Sequence, residues 1–126
     1  MAALSYTQAA ALITATLRTN TVYLGLFLSN PQADASGVEV TGGGYARQAI
    51  TMSAPAVVNG KETSSNSAAV NFPAATSDWG DIHSWGIFSA ATGGTLLWFG
   101  DFVRPKTIEK YDVERVPAGD LVVTLS

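Results

Sequence analysis

Apolar residues recur at two different periods along this chain, and the change from one to the other falls near residue 20. Before it, Ala10, Ile13 and Leu17 stand at helical spacing in a stretch of good helix formers, with Ser5 ahead of them as an N-cap. The pattern predicts one short amphipathic helix over residues 6–18. From Thr21 the period is two: Val22, Leu24, Leu26 and Leu28 alternate with Tyr23, Gly25 and Phe27. Both sets are apolar, so this strand is expected in the middle of a sheet.

Strand signals then alternate with punctuation. Asn30-Pro31 and the small residues up to Gly37 predict a loop, because proline lacks an amide donor and restricts the residue before it. Gly42-Gly43-Gly44 leads into an alternating, half-buried strand expected over Tyr45–Met52. Asn59-Gly60 is a two-residue hairpin signal, Val70–Phe72 a short strand stopped by Pro73, and Ser77–Asp81 a turn. Ile82–Phe88 and Thr95–Phe102 flank Gly93-Gly94 and predict an antiparallel hairpin. Lys106–Arg115 carries charges of both signs and is expected as a solvated edge strand, with complementary charge pairing between subunits as the alternative, followed by a turn at Pro117–Asp120 and a last strand at Leu121–Leu125. Roughly seven short strands with such punctuation predict an all-β fold, an antiparallel β-sandwich or small jelly-roll-like barrel, with one short N-terminal helix. A length of 126 residues is expected to form a single β-rich domain over 1–126.

Composition sharpens this picture. Only 13% of residues are charged while 47% are hydrophobic, so polarity rests on Ser, Thr, Asn and Gly, and self-association is expected to cover part of the surface. A net charge of −3 with 7 basic residues, spread along the chain, argues against phosphate binding, so no nucleic-acid partner is expected. With no cysteine there is neither a thiolate nucleophile nor a Cys-ligated metal, and the apolar runs are too short to insert into a membrane. Arg18 follows rather than precedes the first apolar stretch, so no export signal is expected.

Candidate chemistry is sparse. His83 is the lone histidine. Asp81 and His83 share a strand face, but Ser84 points to the other, and nothing around it resembles a nucleophile elbow. No catalytic, metal or cofactor residue is assigned, and no enzyme activity is expected. Gly42-Gly43-Gly44 lacks the Lys-Ser/Thr of a phosphate loop and is read as a hinge. The residues expected to meet other molecules are Trp79, Trp85, Arg104, Lys106, Tyr111 and Arg115, from the aromatic cluster and the charged run. Exposed tryptophans would also suit a carbohydrate-binding module.

Several segments together carry a resemblance. They are Tyr23-Leu24-Gly25-Leu26-Phe27 with Asn30-Pro31, Glu39 through Gln48, Asn66 through Pro73, Trp79-Gly80, Gly86-Ile87-Phe88, and Ala91 through Gly100. In that order the chain resembles a family of small virion proteins of tailed bacteriophages, of the tail-fibre-like kind. The resemblance implies a non-enzymatic structural component of the virion, made in the bacterial host cytoplasm and associated with the tail or tail fibre. The alternatives carried beside it are a capsid decoration protein on the head and the carbohydrate-binding module. The partners expected are other virion proteins and further copies of the chain, a trimer among the arrangements, with a host receptor as a further contact.

Overall fold

In the computed structural model, which describes residues 4–32, 34 and 36–125, the Ser5 hydroxyl accepts a 3.2 Å hydrogen bond from the Gln8 amide and caps helix α1, Tyr6–Leu17. Its buried side chains are Ala9, Ile13 and Leu17. They lie four residues apart, one step from the expected set, because the stripe follows the i, i+4 ridge and leaves Ala10 at the margin. Nine strands follow among the described residues. These are β1 (Val22–Phe27), β2 (Gln48–Ile50), β3 (Ala56–Val58), β4 (Lys61–Ser65), β5 (Val70–Asn71), β6 (Gly80–Phe88), β7 (Leu96–Ile108), β8 (Arg115–Val116) and β9 (Val122–Leu125).

All pairings are antiparallel, in three sheets ordered β2-β1-β6-β7, β3-β4-β9 and β5-β8. The all-β antiparallel expectation holds, but none of these sheets closes on itself, so the barrel alternative is not realised. β1 lies between β2 and β6, as its two apolar faces require. Side chains from α1 and all three sheets share one core, including Ile13, Leu24, Ile82, Val116 and Val123. Asn59 and Gly60 both have positive φ, at 51° and 78°, which suits the twist of the two-residue β3–β4 hairpin. In the loop expected around Asn30–Gly37, Ala33 and Ala35 lie outside the described residues.

Two expected strands come out differently. Of Tyr45–Met52, only Gln48–Ile50 is strand, because the residues before it are drawn into a polar knot. Arg47 grips Glu39 with two bonds, Nη2 to Oε1 at 2.8 Å and Nε to Oε2 at 2.9 Å, and the Tyr45 hydroxyl donates to Oε2 at 2.5 Å. The same hydroxyl accepts the Leu26 amide, and Arg47 Nη1 donates to the Ala90 and Gly93 carbonyls of the β6–β7 turn. The guanidinium carbon lies 3.5 Å from the Phe88 ring centroid, and Phe88 stacks on Phe27. Burial, and then the bond to Glu39, push the Tyr45 phenol above its ordinary pKa.

The charged run is the second difference. Lys106–Ile108 completes β7, Tyr111 turns the chain with a φ of 78°, and Arg115 opens β8. The run turns because residues 72 and 75 bond to it: the Phe72 amide donates to the Glu114 carbonyl and the Tyr111 amide to the Ala75 carbonyl. It is not uniformly solvated either, since Glu114 is 4% exposed and accepts a 3.1 Å bond from Lys106 Nζ.

Replacing Arg47 by Met removes one member of a largely buried bidentate pair, and the expected cost is about 2–4 kcal/mol in the free energy of unfolding, read from urea titration. Glu62 on β4 is 7% exposed and its Oε2 has no hydrogen-bond partner. Glu62→Met is therefore expected to stabilise the chain by about 1–3 kcal/mol in the same titration.

Candidate interaction site at the β7 bulge

β7 is the outer strand of the four-stranded sheet, and its partner β6 does not keep step with it. Ile82 pairs with Lys106 and Ser84 with Asp101, so β6 advances two residues while β7 advances five. The three extra residues make Phe102-Val103-Arg104-Pro105 bulge away from the sheet. Proline suits this position because it has no amide to donate to a ladder, and a bulge with charged residues beside it discourages unspecific edge pairing. Just before the bulge, Gly100 lies under Trp85: a Cβ there would stand 2.7 Å from the indole Cζ2, so only glycine lets the ring lie flat against β7.

Both feet of the bulge are clamped. Asp101 Oδ1 accepts from Ser84 Oγ at 2.5 Å and from Asn30 Nδ2 at 2.7 Å. These bonds, the Ser84 hydroxyl first, hold the Asp101 carboxyl below its ordinary pKa. At the other foot Thr107 Oγ1 donates to Asp81 Oδ1 at 2.6 Å, next to the Lys106–Glu114 ion pair. The crest between them is Val103, 98% exposed.

The bulge stands between two hollows, each about 470 Å³. One is lined by His83, Ser84 and the Leu28–Asn30 segment. The other is a groove with Ile82, Phe102 and Val116 in its lining, walled by Arg104 and Lys106 on one side and by Arg115, Asp120 and Val122 on the other. Asn66, outside the lining, fixes the turn that carries Gly119 and Asp120 on the groove's far side. Buried at 2% exposure, its amide donates to the Ala68 and Pro117 carbonyls and its Oδ1 accepts from the Gly119 and Leu121 amides, fixing the turn that delivers β9.

Of the six residues expected at an interface, Arg104, Lys106 and Arg115 therefore meet in one groove. Tyr111 projects from the turn beyond it, 76% exposed, with Lys110 Nζ 5.0 Å from its ring centroid. Trp79 and Trp85 do not reach the surface of the chain, each being 4% exposed, and this corrects their placement. Trp79 packs edge-on to Tyr45 and Phe72 and donates to the Gly43 carbonyl, while Trp85 is spent on Gly100. Neither offers a ring face to a sugar. Ser84 is likewise buried and donates to Asp101, and His83 lies on the exposed side of the strand. The bulge itself escaped sequence reading; Pro105 within an otherwise strand-like run is its one visible trace.

The antiparallel β scaffold thus carries a clamped, apolar-crested bulge between two hollows. In a comparison with known families, residues 3–124 match the model of the podophage GP4 fiber I protein gp80. The chain belongs to this family of bacteriophage fibre structural proteins, in line with the resemblance carried by its motifs. Among curated proteins no match is found.

Because the folded pKa of Asp101 is lowered, its contribution to stability is complete above the ordinary carboxylate value. It is lost as the pH falls from there through the lowered folded value. Asp101→Asn is expected to make stability less sensitive to acid over that interval, measured as the urea midpoint against pH.

Proposed function

We propose that this chain is a non-enzymatic building component of a podophage virion, made in the host cytoplasm and incorporated at the tail fibre as one domain. There it meets a neighbouring virion protein through the β7 bulge and its flanking groove. The observation that carries this reading is the match to a podophage fibre family over residues 3–124. The bulge supports it locally, because its 98% exposed crest residue is held between two clamped feet and stands clear of the sheet where a partner can cover it. A second contact, with further copies of the chain, is supported by the composition, in which 47% of residues are hydrophobic and only 13% charged. Its net charge of −3 gives no support to a nucleic-acid role.

Antibody-gold labelling of intact particles, with mass spectrometry of the purified virion, tests the reading. Label at the tail or its fibres is the expected result. Label spread over the head would replace the fibre role by decoration of the capsid, and particles lacking the chain altogether would overturn the virion role. Native mass spectrometry over a range of concentrations tests self-association, with species larger than the monomer expected.

A further inference from the structure

The groove beside the bulge adjoins an open strand edge. A two-residue turn at Asn59-Gly60 makes Val58 and Lys61 a hydrogen-bonded pair, and the alternation then runs outward across the sheet. Lys61 and Thr63 bond to β3, so Glu62 and Ser64 bond to Leu125 and Val123 of β9. The N–H and C=O groups of Val122 and Thr124 consequently point away from β4. Leu121 agrees with this parity, since its own amide and carbonyl turn inward to Asn66. No backbone or side-chain partner for the outward groups is present among the described residues. Val122 itself lines the groove.

The groove is lined by three cations, Arg104, Lys106 and Arg115, and three carboxylates, Asp101, Glu114 and Asp120, equal in number but unequal in how far they are already partnered. Lys106 is taken by Glu114, and Asp101 by Ser84 and Asn30. Asp101 keeps its charge but its Oδ1 already accepts two bonds, whereas Arg104 and Arg115 have neither an ion-pair nor a side-chain hydrogen-bond partner among the described residues, and Asp120 is the one carboxylate of the lining in the same position. An apolar lining, a row of free main-chain donors and acceptors, and two uncommitted guanidinium groups together describe the receptor half of a strand-addition site.

We propose that an extended segment of another virion protein lies in this groove as an added strand on β9, with an acidic side chain held by Arg104 and Arg115. The inference rests on the contact role proposed above and deepens it. Main-chain bonds to Val122 and Thr124 would supply register, alternate side chains would turn toward Ile82, Phe102 and Val116, and the two arginines would select a carboxylate.

The test uses assembled particles in which a photo-crosslinking benzophenone amino acid replaces Val103. A second set carries it at Val57, which lies on the other edge of the small sheet, as control. Incorporation of the chain is read first by mass spectrometry, so a failed virion role is distinguished from a failed docking site. In particles that contain the chain, the expected product from position 103 is a crosslink to a different virion protein, mapped to a peptide with Asp or Glu within a few residues. That crosslink should fall at least tenfold with Arg104→Glu and Arg115→Glu combined, and persist with both as Lys. Val122→Pro removes one outward amide without touching a β4–β9 bond, and it too should abolish the crosslink while leaving the melting transition in place. If the double reversal does not fold, this variant decides. The proposal is overturned by a crosslink to a second copy of the chain, by one to a non-protein component, by one indifferent to these substitutions, or by none in particles that contain the chain.

Discussion

The bidentate pair between Glu39 and Arg47 holds together parts of the chain that would otherwise have little reason to meet. Glu39 precedes β2 in a loop, yet through Arg47 it is bound to the Ala90 and Gly93 carbonyls, at the far end of the β6–β7 hairpin. The four-stranded sheet is thus tied across its end as well as along its ladders. The sheet has made room for this. Gly25 and Gly86 stand directly opposite each other on β1 and β6, and a Cβ on Gly25 would lie 2.8 Å from Glu39 Oε2 and 3.2 Å from the Tyr45 hydroxyl. Two glycines side by side leave a shallow in the pleat, and the carboxylate, phenol and Phe88 ring fill it. A charged pair largely removed from water needs further bonds to offset its desolvation, and here Tyr45, two carbonyls and an aromatic face supply them.

The other end of the same sheet solves a different problem. An outer strand as long as β7 is an aggregation hazard, and it is interrupted by a bulge, a proline and flanking charges. What protects the edge also shapes the groove, because pushing Phe102–Pro105 outward is what opens space against β8 and β9. The short β9 carries no such device, and the difference between a guarded edge and an unguarded one is itself a physical distinction between two surfaces of one chain.

Much of this was legible from residue order, and the failures share a cause. The helix, the Asn59-Gly60 turn and the β6–β7 hairpin depend on neighbours in sequence, and they formed where local chemistry put them. The bulge depends on counting residues against a partner strand, which no single segment reveals. Trp85 looked available for contact because nothing near it in sequence shows that Gly100 lies opposite, leaving a place for its ring. The Lys106–Arg115 run looked solvated because its alternation of sign is what a surface shows. Glu114 was buried by its bonds to a distant segment, with Lys106 to accompany it. The groove was half visible: Arg104, Lys106 and Arg115 were picked out by charge, while Val103, which forms its crest, and Asn66, which fixes the turn beside it, carry no sequence signal that sets them apart.

The small sheet differs from the large one in the order in which its pieces become available. β3 and β4 are joined by a two-residue turn and close quickly, whereas β4 and β9 pair residue 62 with residue 125 and must wait for a long loop to be drawn shut. Until that late step is complete the chain has its hairpins but no third strand, and no row of amides beside the groove. Closing β4 on β9 is thus the more demanding loop closure of the two, and the β9 edge exists only in a chain that has finished folding.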